Sequence, residues 1–161
     1  MIIEKRGSFL EASDEEKSER VLVLTCGIDG IGRSPDFYNF IKKYPLDKKD
    51  YDILKNINIE NEKLGLDSNS YAVEMKNTDH PFKSLFLLVS KKKGLSVPEP
   101  YMHDALYHLL SQCKMHGYKK FIMPRLGIGD GVSWDFMKSS FNSIYKEIFK
   151  EEADVIVYYP I

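Results

Sequence analysis

The sequence predicts an α/β fold, a sheet covered by helices on both faces. Two patterns carry this. Short runs that are apolar nearly throughout, VLVLT at 21–25, LFLLVS at 85–90 and FIM at 121–123, read as strands buried on both sides. Between and after them lie longer stretches whose apolar residues recur at three and four, the stripe of a helix packed on one face.

Taken in order, Ile2 to Glu4 begins a first strand, and the charged stretch Ser13 to Arg20 reads as a polar bend. Val21 to Thr25 is the cleanest strand of the first half and is expected to be central and parallel. It runs into Cys26-Gly27-Ile28-Asp29-Gly30-Ile31-Gly32, a glycine-rich turn. Pro35 sits in the first turn of the next helix, where its missing N–H costs nothing; Phe37, Phe40 and Ile41 share one face, and the helix ends near Tyr44-Pro45. Asp47 to Lys63 reads as a surface helix, Tyr71 to Met75 as a strand, and Leu85 to Ser90 as a buried strand that delivers Lys91-Lys92-Lys93-Gly94. Pro98 and Pro100 flank the turn into a helix from Tyr101 to His116, closed by Gly117. Phe121 to Met123 is a strand ended by Pro124, because proline cannot continue the ladder. A helix from Asp135 to Lys150 and a strand from Val155 to Tyr158 complete the chain.

The 161 residues suffice for one domain with a core of its own. A net charge of −1 supplies no field that would draw the chain to nucleic acid or membrane. No apolar run approaches the roughly 20 residues that span a bilayer, and the first residues are too polar for a signal peptide. Cys26 and Cys113 lie in apolar contexts and read as buried thiols of a reducing compartment, so a cytoplasmic or nucleocytoplasmic location is expected. No Cys or His cluster has metal-site spacing; His103 and His108 stand five apart on their helix and read as surface or edge residues.

Ligands of open α/β sheets bind outside the carboxyl ends of the strands. Such ends here carry Gly27 to Gly32, Lys91 to Lys93, and Gly127 to Gly131. The alternation Gly127, Gly129, Gly131 suits either a tight strand-to-helix turn or a loop whose bare amides face a phosphate. Asp130 inside such a loop opposes an anion, which suits a residue that performs chemistry or fixes a ribose hydroxyl. Asp29 suits a hold on an adenine amino group or, more simply, a turn cap. Phe37, Tyr38 or Trp134 could flank an adenine or a ribose, and a lysine run such as Lys91 to Lys93 is ordinarily a solvated loop.

The order and spacing of these residues resemble a macro domain, most like the branch of terminal ADP-ribose protein glycohydrolases and related antitoxin macro domains. In that branch a strand delivers Thr-Lys-Lys, and a Met-Pro-Arg-hydrophobic-Gly strand end leads through a short loop with an aspartate to a tryptophan. Here those stretches read Ser90-Lys91-Lys92, and Met123-Pro124-Arg125-Leu126-Gly127 through Asp130 to Trp134. Departures are Thr25 and Gly30-Ile31-Gly32 followed by Arg33 and Ser34, where that branch has an asparagine and Gly-Ala-Gly, and a loop before Asp130 one residue shorter.

The resemblance implies one three-layer α/β/α macro domain over residues 1–161 with a central mixed sheet. It implies ADP-ribose, free or on a macromolecule, as ligand, with no cofactor or metal, no membrane partner, nucleic acid only where ADP-ribosylated, and a monomer. The diphosphate is expected between two loops. One supplies Cys26, Gly27, Ile28, Asp29, Gly30, Ile31, Gly32 and Ser34; the other supplies Pro124, Arg125, Leu126, Gly127, Ile128, Gly129, Gly131, Val132 and Trp134. The implied activity is hydrolysis of ADP-ribose from acidic side chains, nucleobases or acetyl esters. Lys91 is the nucleophile, Lys92 its reserve and Asp130 the acid–base partner. The alternatives are a non-catalytic ADP-ribose reader and a phosphatase acting on ADP-ribose 1″-phosphate.

Overall fold

The computed structural model describes residues 1–27, 34–63, 71–90 and 96–160; for 57–63 it describes the backbone alone. The strands are β1 (Ile2–Arg6), β2 (Val21–Gly27), β3 (Tyr71–Glu74), β4 (Ser84–Ser90), β5 (Lys120–Pro124) and β6 (Asp154–Tyr159). They form one six-stranded sheet in the order β1-β6-β5-β2-β4-β3. Every neighbouring pair is parallel except β3 with β4, so the sheet is mixed.

Alternation along the strands splits their side chains between two cores. Val21 and Val23 of β2, Phe86 and Leu88 of β4, and Phe121 and Met123 of β5 meet α4 (Glu99–His116) and α5 (Trp134–Phe149) on one face. Leu22, Leu24 and Cys26, with Leu85, Leu87 and Val89, meet α2 (Pro35–Lys43), α3 (Lys48–Lys63) and the 3₁₀ turn Phe9–Glu11 on the other. The result is the expected three layers. Both cysteines are buried and unbridged. No helix among the described residues is long and apolar enough to cross a membrane.

One stretch differs from its sequence reading. The supposed bend is a helix, α1 (Asp14–Glu19), whose cap Ser13 accepts a hydrogen bond from the Glu16 amide at 3.1 Å. Ser13 and Glu16 stand at the spacing of a capping box, and Asp14, Glu15 and Glu16 favour the positive end of the helix dipole. The surface helix α3 is anchored through a buried carboxylate. Asp50 accepts from the backbone and side-chain nitrogens of Asn77, and from the Thr78 hydroxyl at 2.6 Å. These bonds tie α3 to the turn between β3 and β4, and they offset the cost of burying the charge.

The outer edge of β3 is covered from α4. His108 Nδ1 accepts from the Ala72 amide at 3.0 Å, and the Gln112 amide nitrogen donates to the Ala72 carbonyl at 2.8 Å. Residues four apart share a helix face, so one turn of α4 satisfies both open groups of an edge residue that would otherwise invite strand pairing. Burial lowers the His108 pKa, and His80, whose Nδ1 accepts from the Phe82 amide at 3.1 Å, is likewise lowered by burial against the opposing pull of Asp79 and Asp50.

Both imidazoles therefore favour the neutral form more strongly in the folded protein than in the unfolded chain, where they titrate near 6.5. As pH falls through about 6.5 the unfolded chain takes up protons first, so stability drops and the loss levels off below the lowered folded values. The melting temperature should fall by a few degrees between about pH 7.5 and 5.5. His108→Gln keeps an acceptor without the titration and should show a smaller fall; an equal fall would remove His108 from the account.

Candidate functional site

The sheet opens between β2 and β5. β2 pairs with β4 through seven positions, up to Gly27↔Ser90, and β5 pairs with β6 through five, up to Pro124↔Tyr158. Pairing of β2 with β5 stops after Val21↔Phe121 and Leu22↔Ile122, so these two strands part toward their carboxyl ends. The chain leaves β2 for α2 and α3 on one face and leaves β5 for α5 on the other. A change of face between neighbouring parallel strands is the topological switch point at which α/β sheets hold ligands.

The β5 side of this switch point is built by a turn of fixed shape. Gly127 and Gly131 take left-handed backbone, with φ of 98° and 72°, on either side of a 3₁₀ turn, Ile128–Asp130. The Gly127 carbonyl accepts from the amides of both Asp130 and Val132 at 3.0 Å. Leu126 and Val132 anchor the turn in the α4–α5 core, while Ile128 is 61% exposed and Gly129 half-buried. Asp130 is 0% exposed. Its carbonyl accepts from the Val97 amide at 2.7 Å, which joins the turn to the connection between β4 and α4. Ser133 then caps α5 by accepting from the Phe136 amide at 3.1 Å.

On the β2 side, Cys26 and Gly27 end the strand, both buried. Ser34 caps α2, its hydroxyl accepting from the Phe37 amide at 3.3 Å. Phe37 itself is core, 0% exposed, and flanks no crevice, whereas Tyr38 lies outward beneath the Lys42 ammonium. Asp36, in the first turn of α2, is half-buried, and burial raises its carboxyl above the ordinary range. In the sequence Asp36 reads as an ordinary helix-start acid, since a carboxylate in the first turn is favoured by the helix dipole. Across β4, the Tyr71 phenol of β3 is pushed up by burial and by Cys26 beside it.

The expected residues thus fall into three groups. Cys26, Gly27, Pro124, Leu126, Gly127, Ile128, Gly129, Asp130, Gly131 and Val132 stand at the ends of β2 and β5 or in the turn after β5, with Ser34 at the start of α2. Arg125 and Trp134 turn their side chains onto Glu4 of β1, at 3.0–3.1 Å. Ile28, Asp29, Gly30, Ile31, Gly32, Lys91 and Lys92 lie outside the described residues. Among the described residues no group of three or more His, Cys, Asp or Glu side chains could hold a metal ion.

This three-layer α/β/α domain, with its switch point between β2 and β5, has the macrodomain fold. It is similar to the macrodomain of Mycobacterium tuberculosis DarG, at 19% identity and a TM-score of 0.65 over 98% of this chain and 97% of that one. It is similar to the macrodomain of Thermus aquaticus DarG, at 18% identity and 0.61 over 99% and 97%. Thermosipho africanus DarTG in complex with ADP-ribose matches at 16% identity and 0.53, over 89% of this chain and 39% of that one. No family model and no curated protein matches the sequence.

Proposed function

We propose that the crevice binds ADP-ribose and that the chain hydrolyses it from an acidic side chain, a nucleobase or an acetyl ester, with Lys91 as nucleophile and Asp130 as its partner. The observation that carries this reading is the Val97–Asp130 hydrogen bond of 2.7 Å. It holds the Val97 end of the connection between β4 and α4 against the turn that carries Asp130. The DarTG structure with ADP-ribose supports the choice of ligand. In the proposed reaction the neutral Lys91 amine attacks the anomeric carbon of the distal ribose, and the bond to the modified group breaks. The leaving group takes a proton, and water then cleaves the adduct to ADP-ribose and restores the amine. Asp130 handles the protons of these steps.

The complete burial of Asp130 favours a second reading, in which the crevice only binds. Both readings expect calorimetry to show ADP-ribose binding at least about tenfold tighter than AMP, because distal-ribose contacts worth about 1.4 kcal/mol already give that ratio. Equal affinities would mean that the distal ribose is not held, and neither reading would stand. Turnover of an ADP-ribosylated glutamyl peptide separates the two.

A further inference from the structure

Glu4 lies on the edge strand β1 and gathers four donors. Its Oε1 accepts from Arg125 Nε at 3.1 Å, Arg125 Nη2 at 3.0 Å and Trp134 Nε1 at 3.1 Å; its Oε2 accepts from Lys138 Nζ at 3.1 Å. Partial burial would raise the carboxyl, but the hydrogen bonds from Lys138, Arg125 and Trp134 outweigh it, and the group stays ionised below its ordinary value. The Arg125 guanidinium also lies over the Tyr159 ring at 4.4 Å.

The placement of these donors in the chain is what matters. Arg125 immediately precedes Leu126, and Trp134 immediately follows Ser133. Both ends of the turn that carries Asp130 are therefore fastened to a single oxygen, on a strand two places away in the sheet from the one that delivers the turn. The Gly127 carbonyl and the Val97 amide hold Asp130, and Leu126 and Val132 seat the turn in the α4–α5 core; the bonds to Glu4 add a tie to the far edge of the sheet. Charge-assisted bonds from two cations and an indole to one part-buried carboxylate are of the stronger, directional kind.

We propose that Glu4 is a positioning residue of the crevice: it clamps Arg125 and Trp134 and so sets the place of the 126–133 turn and of Asp130. Arg125 and Trp134 then serve the site through Glu4 and not by touching ligand. The proposal rests on the hydrolase reading only for its effect on turnover. A displacement of about 1 Å in a reacting group can cost about a hundredfold in rate while leaving most binding contacts intact.

Trp134 is the one tryptophan of the chain, so its emission reports the clamp directly. The test compares wild type, Glu4→Leu and Glu4→Gln, with Lys5→Ala, on the same strand as Glu4, as a control that loses the exposed bond to Glu16 of α1. Amide exchange at Asp130 and Val132 should quicken about tenfold or more in Glu4→Leu, with β2 and β4 unchanged, and Trp134 emission should shift to the red. Glu4→Gln keeps an acceptor for the indole and should fall between. On an ADP-ribosylated glutamyl peptide, Glu4→Leu should lower turnover about tenfold to a hundredfold, a larger factor than the accompanying loss of ADP-ribose affinity. Unchanged exchange and emission in Glu4→Leu, or loosening spread evenly over the sheet, would overturn the proposal. Absence of ADP-ribose binding in wild type would sink the hydrolase reading instead and leave the exchange comparison decisive.

Discussion

Lys91→Ala should lower turnover of an ADP-ribosylated glutamyl peptide by about three orders of magnitude or more, and leave ADP-ribose affinity largely intact. Loss of a nucleophile removes an interaction made only on the way to the transition state, so rate falls and ground-state binding does not. In sequence the lysine directly follows Ser90, the last residue of β4, a strand buried at all seven positions and paired to β2 along its whole length. Fixed approach geometry is worth about 7–11 kcal/mol in well-aligned intramolecular reactions, which is ample for a barrier that an amine in free solution would not surmount. The amine must lose its proton first; neighbouring Lys92 and Lys93 favour that loss and a bound diphosphate resists it. Asp130→Ala should slow turnover and allow an adduct to accumulate on Lys91, seen by intact mass as one added ADP-ribose. If Lys92→Ala is inactive and Lys91→Ala is not, the nucleophile is Lys92. If both retain full rate, the chain binds ADP-ribose without cleaving it by a lysine.

Much of the sheet was legible because strands buried on both faces leave little freedom in composition: VLVLT and LFLLVS can hardly be anything else. The turn after β5 was legible too, since its glycines mark left-handed backbone at Gly127 and Gly131. What the sequence hid was long-range. The parting of β2 from β5 depends on which strands are neighbours, and no local pattern encodes that. Glu4 reads as an ordinary polar residue alternating on an edge strand, and its four donors lie more than a hundred residues away. Asp50 reads as one more acid on a charged helix, because its partners Asn77 and Thr78 belong to a distant turn. The helix α1 is a different kind of miss. Its signal, Ser13 three residues before Glu16, was local, but the charge run around it reads equally well as a solvated bend.

Gly127→Ala should cost about 2–4 kcal/mol and lower the melting temperature by roughly 5–15 °C. Two penalties add. The backbone φ of 98° is one that residues with a Cβ adopt only at a cost of about 1–2 kcal/mol. The new Cβ would also stand 2.6 Å from the Val132 carbonyl oxygen and 3.1 Å from Met137 Cγ. The first of these is a backbone atom held by the closure of the same turn, so no rotamer change relieves it. Relief requires the turn to open, which breaks the bonds from the Asp130 and Val132 amides to the Gly127 carbonyl. Gly117→Ala separates the two penalties, because Gly117 has a φ of 74° but nothing within 4 Å of its Cβ position. That variant should lose only about 1 kcal/mol, the conformational part alone. Thermal melts of both proteins, with ADP-ribose titrations on whatever folds, make the comparison. If Gly127→Ala proves no less stable than Gly117→Ala, the Val132 carbonyl yields freely and the turn is not the rigid wall of the crevice. If it is destabilised as expected and also binds ADP-ribose weakly at a temperature where it remains folded, the closed form of this turn is what the ligand requires.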